Sequence, residues 1–262
     1  MAELLLFIGG LSAGTLGGLL GIGGGIVLMP ILRFVVGLSP PYAAGTCIIA
    51  VFFTTLGGSY YHLRRGHLNL RSIVPLIVSG SLACIIFSIL FQILAQRDHW
   101  LDLGIGLVFC IISARMIADG IPGLRTEKTV LQPDDNAVHG TLVQKAAVGT
   151  AAGILPGLLG IGTGSILVPA FTYLFRTPVK TAMAASLACF SFNAAISSTF
   201  KLAQGFAIPD VALLLSLGTL LGANMGAALN RRFSSGLVKI IFGVVFLYVS
   251  LKFILSFFGV SI

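Results

Sequence analysis

The stretch GLLGIGGGIVLMP, residues 18–30, sets four glycines, Gly21, Gly23, Gly24 and Gly25, inside an apolar run. A glycine in a helix interior costs about 1 kcal/mol relative to alanine. A cluster of them marks a place where a helix is expected to break. The pattern returns as GLLGIGTGSILVP, residues 157–169, with Gly160, Gly162 and Gly164 in the same places. Shifted by 139 residues, positions 13–30 and 152–169 are identical at 12 of 18 places. The same shift pairs Phe53 with Phe192, Ser59 with Ser198 and Gly66 with Gly205. The chain reads as a duplication, the arrangement that recurs in secondary transporters.

Composition fixes the medium. The 262 residues are 56% hydrophobic and 9% charged, with mean hydropathy +1.04. A soluble domain carries about 25% charged residues, so the chain is read as an integral membrane protein surrounded by lipid. The net charge of +8 comes from basic residues in short loops between apolar runs. It reflects topology, and no nucleic-acid partner is expected. Cys47, Cys84, Cys110 and Cys189 all lie in apolar runs without paired spacing or a neighbouring histidine. Neither a disulfide framework, a metal site nor a cofactor is expected. The start MAELLLFIGG lacks a basic n-region, so no cleaved signal peptide is expected.

Apolar segments fall at 4–36, 42–62, 72–95, 101–118, 144–175, 181–203, 208–229 and 237–258. About 20 helical residues cross a bilayer core. Six segments have that length. The first and fifth are too long for one upright span, and each holds a glycine cluster near its middle. The fold expected is an all-α integral membrane protein of two inverted-topology repeats, each a Gly-broken helical hairpin plus three transmembrane helices. Residues 1–118 form the first repeat, 119–144 a cytoplasmic linker rich in Pro, Gly and charge, and 145–262 the second repeat. Twelve of the Lys and Arg residues fall in the linker and its flanks and in the loops at 62–71, 176–180 and 231–239. The remaining four, Arg33, Arg97, Lys201 and Lys252, are assigned to the other side. Cytoplasmic loops carry the basic excess. Both hairpins must then enter and leave on one side, and both termini lie outside, in the inner (plasma) membrane of a bacterium. Whether each hairpin is re-entrant or two short spans is left open.

At a bend inside a membrane, backbone N–H and C=O groups lose their helical partners, which is tolerated only inside protein or beside a water-filled cavity. The helix that restarts offers free N–H groups and a positive dipole end, which favour an anion. The candidate substrate-binding residues are Gly21, Gly23, Gly24, Gly25, Thr46, Cys47, Gly160, Gly162, Thr163, Gly164, Ser165, Ser186 and Asn193. The hydroxyls and the amide among them can donate to an oxyanion, or bond between helices or to their own backbone. The outer glycines, Gly10, Gly14, Gly18, Gly153, Gly157, Gly222 and Gly226, are spaced by four and suit close helix packing. All eight acids and all four histidines lie at segment ends or in loops, and no Lys or Arg is placed at mid-depth. An anion would be held by dipoles and neutral donors. No nucleophile–base pair points to an enzyme.

The duplicated glycine motif, with the following helix starts AAGTCIIAV (43–51) and AMAASLACF (182–190), resembles the TauE/SafE family over nearly the whole chain. The resemblance implies export of sulfite or a small sulfur-containing organic anion such as sulfoacetate. Two departures, Thr163 for a motif glycine and Pro156 where Gly17 stands, imply that the half-sites are not equivalent. The reading expected is a transporter that exports a small anionic substrate by alternating access, driven at least partly by the membrane potential. An anion channel and a non-transporting membrane scaffold are the rivals. The exposed small-residue faces leave room for a homodimer.

Overall fold

The computed structural model describes residues 2–20, 22–64, 68–125, 137–229 and 235–258. Its helices are α1 (Ala2–Leu20), α2 (Gly25–Pro30), α3 (Pro40–Arg64), α4 (Val74–Leu94), α5 (Asp98–Arg125), α6 (Leu142–Leu159), α7 (Gly164–Pro169), α8 (Val179–Ala203), α9 (Pro209–Leu229) and α10 (Ser235–Phe257). Among the described residues, six helical stretches are long and apolar enough to cross a membrane: Pro40–Arg64, Leu70–Leu94, His99–Ile121, Leu142–Leu159, Lys180–Ala203 and Ile240–Phe257. Local chemistry sets several starts. Pro40, Pro75 and Pro209 sit in first turns, where a missing N–H costs nothing. Thr141 and Gln144 form a reciprocal capping box at the head of α6. α5 runs through Arg125, into the stretch read as linker; 126–136 lie outside the described residues.

The two over-long segments break as their glycines require. α1 ends at Leu20 and α6 at Leu159, and after four intervening residues α2 and α7 begin. Both short helices end at a proline, Pro30 and Pro169, and continue as π turns over Ile31–Val35 and Ala170–Leu174. The proline ring removes a donor and crowds the carbonyl four residues back, which widens the helix after it. Each short leg folds back along its long leg. Gly24 lies beside Ala13, and a Cβ on Gly9 would be 3.6 Å from Ile31. In the second copy Gly140, just before α6, abuts the Phe175 ring at the end of the returning leg. Entry and exit of that hairpin are neighbours. A returning leg of 11 residues spans about 16 Å at 1.5 Å per residue, about half of a 30 Å core.

The halves pack by exchange. α1 lies on α9 and α6 on α4, while α3 pairs with α8 and α5 with α10. Gly14 of α1 faces the Thr219 carbonyl of α9, and its repeat mate Gly153 faces the Gly80 carbonyl of α4. Gly18 with Ala223 and Gly157 with Cys84 are the next such pair. Ser113 of α5 donates to the Gly243 carbonyl, and Ser250 of α10 donates to the Gly106 carbonyl at 2.8 Å. Lipid supplies no hydrophobic drive between helices, so close packing and interhelical hydrogen bonds hold them together. The outer glycines expected to pack do so.

One ion pair fixes the first hairpin. Arg33, in its π turn, grips Asp102 of α5 through two bonds of 3.1 and 2.8 Å. Ser256 of α10 donates to the same carboxylate at 2.9 Å, and Asp102 is only 2% exposed. Asp102→Ala should lower the stability in detergent by about 3–5 kcal/mol, because it strands a half-buried guanidinium. A double replacement, Arg33→Met with Asp102→Leu, should recover most of that. Thermal unfolding measures both, and a loss of only about 1 kcal/mol, typical of an exposed pair, would contradict the packing described.

Candidate functional site at the meeting of two broken helices

Three elements converge where the helices break: the bend between α1 and α2, the bend between α6 and α7, and the crossing pair α3 and α8. The bends touch through backbone. A Cβ on Gly25 would lie 2.8 Å from the Gly162 nitrogen, and one on Gly162 would lie 2.7 Å from the Ile22 carbonyl oxygen. Only glycine permits this approach. The bends are not copies of each other. The first turns through left-handed Gly23 and Gly24, with φ of 83° and 73°. The second turns through Gly160 alone, φ 66°, while Thr163 keeps a right-handed φ of −99°. The sequence departure at position 163, Thr where the first copy has Gly24, has this backbone counterpart.

α3 and α8 present their middles to the bends. The Phe190 ring of α8 sits against both Gly23 and Gly162 and is fully buried. Its repeat mate on α3, Val51, packs on Gly25. Cys47 donates to the Gly25 carbonyl at 3.6 Å. The methyl groups of Thr54 and Thr55 face Gly24 and Gly23, and their hydroxyls return to carbonyls of their own helix. Ser186 is fully buried on α8, one turn before Phe190. Thr46 is directed elsewhere: its hydroxyl accepts from the Ile208 N–H at 3.1 Å, ahead of α9. Gly160 packs against the Ala44 carbonyl, and Gly164 opens α7. Gly21 and the Ser165 side chain lie outside the described residues.

Two candidate groups are buried with no hydrogen-bond partner: the Thr163 hydroxyl and the Asn193 side-chain oxygen. Thr163 is 0% and Asn193 1% exposed. A buried polar atom left unpaired is costly. Asn193 lies against Gly80 of α4. Its repeat mate is Thr54, which packs on Gly24, the repeat mate of Thr163. Asn193 thus shares the repeat register of a residue that packs on the first bend, while its own described contacts are with Gly80 and Cys84 of α4. At the head of each restarted helix the first bonds run from Val27 and Leu28 to Gly24 O, and from Ile166 and Leu167 to Thr163 O. The N–H groups ahead of them have no intrahelical acceptor.

Lys201 corrects the sequence reading. The sequence reading counts it among the basic residues of loops and segment ends and places no Lys or Arg at mid-depth. Lys201 is instead in the last turn of α8 and fully buried. Its ammonium donates to the Gly157 carbonyl at 2.8 Å and lies 3.3 Å from the centre of the Phe91 ring. Gly157 is three residues before the second bend. Beside it, Ser197 donates to the Pro156 carbonyl at 2.6 Å. Two donors of α8 thus satisfy carbonyls in the last turn of the broken helix α6. The one sequence signal for Lys201 was its distance of 139 residues from His62, itself buried in the last turn of α3.

Residues 6–253 match the family described as sulfite exporter TauE/SafE. A probable membrane transporter protein of Bacillus subtilis, YunE, is 28% identical over 97% of this chain and 98% of its own length. Another from that organism, YjnA, is 30% identical over 94% and 97% of the two chains. A probable membrane transporter protein of Methanocaldococcus jannaschii, MJ0441, is 25% identical over 88% and 87%. No solved structure matches the chain.

Gly162→Ala should force the bends apart, since its Cβ would meet a backbone carbonyl rather than a yielding side chain. Gly23→Ala adds a left-handed residue, a cost of about 1–2 kcal/mol, and a clash with Phe190 and Thr55. Both variants should lower the melting temperature, whereas Gly37→Ala, whose Cβ meets nothing within 4 Å, should report the left-handed strain alone. Equal losses in all three would argue against the close approach.

Proposed function

Since the chain belongs to the sulfite exporter TauE/SafE family of membrane transporters, we propose that it exports a small sulfur-containing oxyanion, sulfite or a sulfonate such as sulfoacetate, across the inner membrane of a bacterium. The meeting of two broken helices carries this reading. The bends bring the heads of α2 and α7 to one place, with an unpaired Thr163 hydroxyl beside them. A small oxyanion is the ligand that free N–H groups, helix-start dipoles and hydroxyl donors would hold. Gly23, Gly24, Gly25, Gly160, Gly162 and Gly164 would shape the site. Thr163, Cys47, Ser186 and Asn193 would line it.

The halves are inverted in this reading. A hairpin that returns to its side, followed by three crossings, delivers the chain to the opposite face, so the second repeat starts upside down. Reciprocal packing of α1 on α9 and α6 on α4 suits rocking of one pair against the other around a fixed midplane site. Phe190, lying over both bends, would have to move aside to admit substrate. An inside-negative potential favours outward movement of an anion by about 2.3 kcal/mol per charge per 100 mV, about a fiftyfold gradient for a monoanion. Export then needs no coupled ion. Both termini would lie outside.

Proteoliposomes loaded in turn with sulfite, sulfoacetate, sulfate or chloride, under an imposed potential at fixed pH, test the proposal. Saturable, potential-dependent efflux of sulfite or the sulfonate is expected. Thr163→Val, which keeps the shape and removes the hydroxyl, should raise the KM about tenfold. Folded protein that moves none of the four anions would contradict the reading. Unsaturable flux would favour a channel.

A further inference from the structure

Lys201 is the one fully buried lysine or arginine among the described residues, and its described partners are neutral: the Gly157 carbonyl and the Phe91 ring face. The ion pair found among the described residues lies elsewhere, between Arg33 and Asp102. An ammonium taken out of water is costly to bury without a counter-charge. The carbonyl end of α6 and the ring face each favour a cation, which makes the position tolerable. Neither neutralises it. In an apolar bundle the remaining field is weakly screened, and it originates one helical turn from the second bend.

A mere cap for α6 would not need a charge. Ser197, one turn earlier on α8, satisfies the adjacent Pro156 carbonyl with a neutral hydroxyl. The position also has a partner in the duplication. His62 precedes Lys201 by the repeat spacing of 139 residues and occupies the same last turn, in α3 instead of α8. It too is buried, at 5% exposure, with its ring edge-to-face with Tyr61 at 5.5 Å. Basic side chains thus recur at one register position in two helices that cross at the bends.

We propose that Lys201 is the fixed positive charge of the substrate site, a residue that sets selectivity by the charge of the anion, with His62 its weaker counterpart in the first half. The proposal rests on the anion-transport reading above. The mobile anion supplies the counter-charge that the fold omits. A site with one fixed cation prefers the more highly charged of two anions of similar shape, so sulfite, partly dianionic near neutrality, gains over a monoanionic sulfonate. The first half, with a histidine at this position, contributes less charge, in keeping with the unequal bends.

The test uses the full chain in proteoliposomes, with sulfite and methanesulfonate as the probes. Lys201→Gln should raise the KM for sulfite by about tenfold, the scale of one unit charge acting over about 10 Å at an effective dielectric of about 20. It should raise the KM for methanesulfonate less, so that the preference between them shrinks. Lys201→Arg should retain the preference, and Phe91→Leu, which keeps the charge, should too. Acetyl-lysine introduced at 201 keeps an N–H on the side chain and removes the charge, and should behave as the glutamine variant does. If Lys201→Gln is folded and keeps the wild-type preference, the proposal is overturned while the transport reading stands. If both uncharged variants fail to fold while the arginine variant transports without preference, Lys201 is a structural clamp and the proposal is again overturned. A wild type that moves neither probe overturns both readings.

Discussion

Everything distinctive in this molecule follows from one constraint: a backbone that leaves its helix inside an apolar medium must have its polar groups met by something. Glycine makes the two breaks possible, at Gly23, Gly24 and Gly160, where φ is left-handed. The structure then meets the exposed groups from several directions. Gly17 O accepts from Ile22, the Gly25 carbonyl from Cys47, and the carbonyls of Pro156 and Gly157 from Ser197 and Lys201. Groups still unmet at the second bend, the Thr163 hydroxyl above all, are where a ligand has most to offer.

The exchange of helices between halves is the packing answer to the same medium. Where lipid is as apolar as a leucine, helices gain by approaching closely and by bonding across the gap. The glycine rows of α1 and α6 do the first and the reciprocal serine–carbonyl bonds of α5 and α10 do the second. The glycine contacts of α1 with α9 recur between α6 and α4, so the legs that lead into the two bends are held by matching pairings. Any motion that parts α1 with α9 from α4 with α6 therefore acts on the bends.

Much of this was legible in the sequence. Segment lengths and glycine clusters announced the hairpins, and the shift of 139 residues announced the duplication. The spacing of Gly10, Gly14 and Gly18 announced the helix contacts. The candidate site was legible in part. Glycines and Thr163 could be named because their chemistry is local. Thr46 is named with them from the sequence, but its hydroxyl accepts from the Ile208 N–H, a partner far along the chain that local pattern does not reveal. Lys201 was misread for a physical reason. At the end of an apolar segment a lysine looks like a loop residue, and only the packing of α4 and α6 around it, with Phe91 over its ammonium, encloses it. The Arg33–Asp102 pair was invisible likewise, its members being 69 residues apart in separate elements.

Whether the two bends together form one anion site is tested most directly by soaking crystals of the protein with selenite, a heavier analogue of sulfite, and locating selenium by anomalous diffraction. A single strong peak is expected between the Ile22–Gly25 and Gly160–Thr163 bends, within hydrogen-bond reach of the Thr163 hydroxyl and displaced by excess sulfite. A peak confined to the protein surface, or none at a selenite concentration that saturates transport, would contradict a shared site.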